Sequence, residues 1–548
     1  MIEVRNTTRR ALLAGASGAV MTSACTSFFV PADDTGNSAL KRDARAAMKR
    51  AARFMRERVA YRGGYVWSYL PDFSRRWGEM EAYPTMIWIQ PPGTATVGHL
   101  YLDCFHATRD EFYYQAAMEV ADGLIAAQHP AGGWNYLHDF AGEDSARRWY
   151  DTIGKNGWRL EEFHHYYGNA TFDDAGTSEA SQFLLRLYLE RRAQRLREPL
   201  ERALRFVLDS QFENGGWPQR FPRAEGEADY IRHITFNDDV AGENIKFLLM
   251  VYQTLGDERA LGAIRRAMNV FVATQQPAPQ AGWGLQHHAE MLRPIGARSY
   301  EPEALTTHTT ANNIAQLLNF YEWTGEERFI TRVPEAIAWL DSVRLPDQQV
   351  LVAGRNYPTF IESGSNRARI VHRRGANSAS GEYYWDYNPE KPITHYSQWR
   401  ALNVDALRAR YEQLRAADPA ALAANSPLRA RSPDFRLPRF FSTQNIEVSD
   451  MNSNVGAGDV ARPENARVAE LVSTLNAEGY WPTPLTATSN PYIGDPPPTP
   501  SPGDYAQTLV GDAYDTSPYT TDRPVTGIST GSFIQNMSAL LLSVDSGA

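Results

Sequence analysis

Apolar residues return at intervals of three and four over segment after segment of this chain. Phe183, Leu184, Leu187 and Tyr188 share one helical face, and Ile245, Phe247, Leu248, Leu249 and Val251 form the apolar run of another helix. The same period predicts helices over 46–59, 111–128, 177–189, 200–211, 238–255, 259–275, 303–323 and 334–343, with a last apolar helix over 528–544. Alternating patterns of the strand type are scarce between them. Helix after helix without strands implies helix-on-helix packing, an all-α class.

The loops after alternate helices resemble one another. Gln128-His-Pro-Ala-Gly-Gly-Trp134, Gln211-Phe-Glu-Asn-Gly-Gly-Trp217 and Gln275-Gln-Pro-Ala-Pro-Gln-Ala-Gly-Trp283 each leave a helix at Gln and turn through glycine into Trp, with Arg62-Gly-Gly-Tyr65 as a weaker relative. Glycine permits the positive φ that ends a helix, and the indole then covers the helix end or offers a flat face to a sugar. Recurring helix hairpins of this kind predict an (α/α) toroid whose long loops surround one concave mouth. Beyond residue 420 the composition turns to Pro, Gly, Ser and Thr, including Pro496-Pro-Pro-Thr-Pro500. Residues 31–420 are therefore read as the toroid, and 421–548 as an irregular extension with a terminal helix, packed on the toroid.

Charge and cysteine usage narrow the partners. Lys+Arg 55 against Asp+Glu 64 gives a net charge of -9, with the basic residues spread along the chain, so nucleic acid is not expected. The 2 cysteines, Cys25 and Cys104, exclude a disulfide framework. Thr7-Thr8-Arg9-Arg10 before a short apolar run looks like a twin-arginine signal over residues 1–30, too short to span a membrane. The protein is thus expected to be exported, periplasmic or secreted. Thr22-Ser-Ala-Cys25 leaves open a lipid anchor at Cys25, which would make it an outer-membrane lipoprotein, beside ordinary cleavage nearby.

Three blocks at helix rims combine acids, amides, arginine and aromatics. They are Asn169-Ala-Thr-Phe-Asp-Asp-Ala-Gly-Thr177, His233-Ile-Thr-Phe-Asn-Asp-Asp239 with Asn214-Gly-Gly-Trp-Pro-Gln219, and Trp283-Gly-Leu-Gln-His-His288 running into Ala297-Arg-Ser-Tyr-Glu301. In the second, a plain helix start needs only one of the two adjacent aspartates as its N-cap. No His-Glu-x-x-His spacing, phosphate loop or nucleophile elbow is present.

These ordered blocks resemble the signature of the family 10 pectate lyases, and the likeness runs over roughly residues 110–400. The resemblance implies an (α/α) toroid and a β-elimination at a uronic acid residue, assisted by calcium. By family position Arg298 would be the base, while Asp173 and Asp238 would act on the sugar or hold the calcium. Asp174, Trp217, Asn237, Asp239, Trp283, His287, His288, Tyr300 and Tyr383 are the candidate substrate-binding residues around them. An arginine base is chemically demanding, since a free guanidinium stays protonated to a pKa above about 12. Without its block, Arg298 would read as the partner of Glu301 or Glu303.

The chain departs from the family where two arginines normally clamp uronate carboxylates, for here Tyr383 and Ser397 occupy those positions. Arg367, Arg369, Arg373 and Arg374 are candidate replacements. Two other functions stay open: an inverting glycoside hydrolase with Asp173 or Asp174 facing Asp238 or Asp239, and a non-catalytic glycan-binding protein. Each expects an acidic polysaccharide or oligosaccharide as the partner.

Overall fold

The computed structural model describes residues 34–157, 160–374, 382–393, 396–429, 437–452, 461–489 and 518–545. The expected signal segment, Cys25 and the Pro496–Pro500 tract lie outside them. The helices, in chain order, are α1 (Asp34–Phe54), α2 (Thr94–Thr108), α3 (Glu111–Ala127), α4 (Glu143–Trp149), α5 (Gly176–Arg191), α6 (Gln194–Asp209) and α7 (Val240–Leu255). They continue with α8 (Glu258–Thr274), α9 (Thr307–Thr324), α10 (Val333–Val343), α11 (Val404–Ala416), α12 (Pro419–Leu422), α13 (Asn465–Thr474) and α14 (Thr530–Val544).

Two kinds of long helix alternate. α2, α5, α7 and α9 are buried on nearly every side, whereas α3, α6 and α8 bury one stripe and expose the other. The inner helices pack neighbour to neighbour in the order α14, α2, α5, α7, and each takes an outer helix on its far side. The result is the predicted (α/α) toroid. Helix α2 was missed from sequence because burial on all sides erases the apolar stripe, and because Thr94, Thr96, His99 and Asp103 are polar yet buried. Those polar groups are satisfied internally. Asp103 pairs at 2.6 Å with Arg186 of α5 and accepts from the N–H groups of Phe441 and Ser442, which ties the chain after residue 436 to the inner ring.

The recurring turn is a structural unit. In each copy the indole N–H donates to a carbonyl at the end of the helix just left: Trp134 to Leu124, Trp217 to Val207 and Trp283 to Phe271. The glutamine bridges the turn to the next outer helix, as where Gln128 donates to Gly132 O and Pro199 O. Gly132 (φ +111°) and Gly215 (φ +96°) press so closely on the carbonyls of Arg202 and Arg266 that a Cβ would lie 2.0 Å away, which only glycine avoids. A fourth copy, unrecognised in the sequence, ends α13: Gly479 (φ +106°) lies against Arg50 O of α1, and Trp481 Nε1 donates to Leu471 O. Residues beyond 460 thus supply a hairpin of the ring itself, with α13 and α14 both packed on α1.

Strands are short but more frequent than the sequence pattern suggests. Thr483–Ser489 pairs antiparallel with Pro518–Ser529, which continues onto Ser68–Tyr69, so both described ends of the Pro- and Thr-rich tract are ordered in a sheet. Leu305–Thr306, Phe360–Ile361, Ala368–Arg374 and Glu382–Asp386 form a second sheet beside the mouth.

Candidate active site

Two equivalent turns build the floor of the mouth. Ala170–Thr171 and Ile234–Thr235 are two-residue strands that lead through Phe172-Asp173-Asp174-Ala175 and Phe236-Asn237-Asp238-Asp239 into α5 and α7. In both turns the last two residues adopt left-handed backbone: Asp174 at φ 51° and Ala175 at 59°, Asp238 at φ 48° and Asp239 at 57°. Left-handed conformation is strained for a side-chain-bearing residue, by roughly 1–2 kcal/mol each, and such strain concentrates at functional sites. It also replaces the expected cap, since neither aspartate of the second turn caps α7 through its side chain. Asp239 instead lays its carboxylate over Gly242 in the first turn of that helix, where any Cβ would collide with it. The two turns touch each other.

Arg298 descends onto these turns from a loop 125 residues further along the chain than Asp173. It is 5% exposed and ion-paired to Asp173, to Glu301 at 3.2 Å and to Glu162 at 3.4 Å. Asp173 also accepts from Tyr136 Oη at 2.5 Å, while its Oδ1 is buried without a partner. Glu162 accepts from Tyr300 Oη at 3.0 Å. Asn237 donates to Asp238 at 2.8 Å, and Gln90 bridges Asp174 at 2.8 Å and Glu79 at 2.9 Å. Six carboxyl groups, Glu79, Glu162, Asp173, Asp174, Asp238 and Glu301, therefore share one arginine that touches three of them.

The electrostatics follow from that imbalance. Burial pushes Asp173 upward, but Arg298 and the Tyr136 hydroxyl outweigh it and hold the group below the usual carboxylate range. Asp238 is driven well above that range by burial and then by the Asp173 charge, and Asp174 by burial and then by Asp238. Burial beside Glu162 lifts Glu79 to about 8. Arg298 loses some affinity for its proton through burial, yet Asp173, Tyr300, Glu301 and Glu162 together raise it well above its ordinary value. Asp173 is thus held below the ordinary carboxylate range while the carboxyl groups around it are raised.

Beside this cluster lies a cleft of about 510 Å³, walled by Tyr136, Tyr167, Tyr230, Tyr383, Glu161, Glu162 and Arg220 among others, of which Tyr136 and Glu162 contact Asp173 and Arg298. Of the candidate residues, Asp173, Asp174, Asn237, Asp238 and Arg298 come together at the floor, with Tyr300 behind Glu162 and the ring of Tyr383 5.2 Å from that of Tyr300. The other five have contacts within the fold instead. Trp217 and Trp283 are fully buried helix-end covers. His287 is fully buried, and His288 accepts from the N–H groups of Glu290 and Met291 within a turn. Asp239 serves α7, as above.

Of the proposed replacement arginines, Arg369 pairs with Glu362 at 3.1 Å and lies 4.0 Å over Trp385, Arg367 lies 3.4 Å over Tyr387, and Arg373 is buried. The Arg374 side chain is outside the described residues. Sequence reasoning missed Glu79, Gln90, Tyr136, Glu162 and Arg220, which stand in no recognisable motif, and it gave Glu301 only as a salt-bridge partner for Arg298. All converge by topology alone.

His287 carries a stability prediction. Its Nδ1–H donates to Leu292 O and its Nε2 accepts from Gly284 N–H, both at 3.0 Å, so the neutral ring is fixed and a second proton would face a donor. Burial depresses it to about 4 from an ordinary 6.5. Its contribution is full above pH 6.5 and is lost as pH falls toward 4, by about 3 kcal/mol. Thermal unfolding across this window is expected to fall more steeply for the native protein than for His287→Gln, and equal slopes would refute it.

Residues 139–397 match the family model of the pectic acid lyases. Among solved structures, the chain is similar to a family 10 polysaccharide lyase from Cellvibrio cellulosa, at 18% identity over 57% of this chain and 94% of that one, with TM-score 0.38. A variant of that enzyme in complex with trigalacturonic acid gives 17% identity over 58% and 98%, with TM-score 0.38. The α-1,6-mannanase of glycoside hydrolase family 76 from Salegentibacter gives 11% identity over 93% and 99%, with TM-score 0.34. No curated protein matches the chain. The matched segment lies in the middle of the toroid, while Glu79 and Gln90 reach the same site from outside it.

Proposed function

We propose that this polysaccharide lyase is exported and cleaves a uronic-acid-containing glycan of the pectate type by calcium-assisted β-elimination, with Arg298 as the base. The observation that carries the reading is the convergence of Arg298 with Asp173 and Asp238, joined to the cleft through Tyr136 and Glu162, which line it. In the reaction the C5–H bond breaks, its electron pair forms the C4=C5 double bond, and the C4–O bond breaks to release the 4-linked sugar. Arg298, its own proton first released to solvent, takes the C5 proton, and the departing oxygen is protonated by water. In the resting arrangement Asp173, Glu162 and Glu301 hold that guanidinium protonated, so it becomes a base only once substrate has drawn Asp173 away. In that resting arrangement Tyr136 and Tyr300 donate to Asp173 and Glu162.

Calcium fits the donor chemistry. Asp173 has a buried unpartnered oxygen beside Asp174 and Asp238, all hard oxygen donors. Among the described residues no three such side chains are arranged to hold a metal ion, so sugar oxygens and water complete the shell. When bound, the cation neutralises the uronate carboxylate and makes the neighbouring C5 proton more acidic.

The test is absorbance of the 4,5-unsaturated product from a panel of uronans, with calcium and with a chelator. Signal on polygalacturonate that the chelator abolishes is expected, and no signal on any uronan would refute the elimination. One feature favours a second reading. Asp173 held below and Asp238 held above the ordinary carboxylate range offer a base and an acid to a glycoside hydrolase, and chain cleavage without absorbance would identify it.

A further inference from the structure

Arg220 is the one buried guanidinium of the cleft wall that the chemistry above does not use. It is 5% exposed. It lies between two rings, 5.1 Å from the centre of Tyr136 and 5.7 Å from that of Tyr167. Its Nη1 donates to Asn135 Oδ1 at 3.2 Å and to Asn169 Oδ1 at 3.3 Å, both neutral amides, and Nη2 has no acceptor at all. Among the described residues no carboxylate reaches ion-pair distance of it. Buried arginines are ordinarily paired, because an isolated buried charge is strongly disfavoured. A full positive charge held by aromatic faces and amide oxygens, in the wall of a sugar-sized cleft, is a site built for an anion that arrives from outside.

Glu161 and Glu162, of the same wall, are engaged elsewhere. Glu161 accepts from Ser299 N–H and hydroxyl at 2.9 and 2.5 Å, and Glu162 from Tyr300 while paired with Arg298. Meanwhile Tyr383 and Ser397 leave the usual carboxylate clamps vacant, and the arginine that does reach Ser397, Arg355, spends a donor on its hydroxyl at 3.0 Å.

We propose that Arg220 binds the carboxylate of a uronosyl residue next to the one cleaved, with Tyr136 and Tyr167 holding the guanidinium plane, and so takes over recognition that the chain's missing arginines would supply. The guanidinium fork suits a carboxylate, whereas a neutral or esterified sugar offers only one good acceptor. The proposal rests on the uronate reading above.

The experiment measures binding rather than turnover, by calorimetry on the full chain in chelator so that calcium takes no part. The probes are trigalacturonic acid, its methyl ester and a neutral galactose trimer. The native protein is expected to bind the acid at least tenfold more tightly than the other two, and Arg220→Gln to lose that preference while its melting temperature is unchanged. Equal binding of all three probes by the native protein, or undiminished preference in Arg220→Gln, overturns the proposal. Should Arg220→Gln melt lower, the preference of the native protein decides alone. Binding of the acid without unsaturated product on adding calcium would refute the elimination and leave the Arg220 site standing, whereas binding of none of the probes refutes both.

Discussion

Arg298→Gln is expected to abolish elimination, lowering turnover by roughly a thousandfold, as the loss of a general base does, while trigalacturonate still binds through the rest of the cleft. The same change should destabilise the fold in a pH-dependent way. Arg298 is the shared partner of Asp173, Glu162 and Glu301, and removing one side of a buried pair typically costs about 3–5 kcal/mol. Carboxyl groups escape that penalty by taking up protons. Without Arg298, Asp173 would rise from below its ordinary value and Glu162 and Glu301, already raised by burial, would rise further, so stability is retained at low pH and lost as pH climbs past the unfolded values. Melting temperatures at pH 5 and pH 8 check this, since the deficit of the variant relative to the native protein should be larger at pH 8. An equal deficit at both would mean that the carboxylates do not depend on Arg298 for their charge. Arg298→Lys should recover part of the stability but not the turnover, because a single ammonium cannot reach three carboxylates in the directions the fork does.

How much of this was legible in the sequence depended on whether the signal was local. The outer helices and their Gln-to-Trp turns were readable because an amphipathic stripe and a glycine at positive φ are written into neighbouring residues. Helix α2 was not, because its polar residues Asp103 and His99 look solvent-facing until Arg186, 83 residues beyond Asp103, is placed against them. At the site, Asp173, Asp238 and Arg298 could be found because short blocks carry them. Glu79 and Gln90 could not, for a carboxyl lifted to about 8 is a property of what surrounds it. The tryptophans failed in the other direction. A flat ring after a glycine turn suits a sugar and a helix end equally well, and only burial separates the two uses. The paired left-handed turns were half visible: Thr-Phe-Asp-Asp and Thr-Phe-Asn-Asp align by eye, but the alignment does not say that both chains bend identically.

A chain ended after residue 420 is expected not to fold, although it keeps the whole family segment. The reason lies in how the ring closes. Phe533, Ile534, Met537, Leu540, Leu541 and Val544 of α14 are buried, against α1 and α2, and Thr530 bonds back to Val66 O and Trp67 O. Burying six such side chains contributes on the order of 10 kcal/mol, as large as the whole stability of a typical domain. The truncation would also strip Asp103 of the Phe441 and Ser442 N–H groups and take Arg439 O from Arg186, leaving the buried ion pair of the inner ring half satisfied. Gly479 against Arg50 O repeats the contact by which Gly132 and Gly215 dock their hairpins, so the last hairpin sits on the first helix as each earlier one sits on its successor. Circular dichroism and a melting curve on residues 31–420 give the answer. A cooperative transition within about 5 °C of that of the full chain, a shift worth only about 1–3 kcal/mol for a domain of this size, would show that the residues beyond 420 are an appendage and not the closing piece of the toroid.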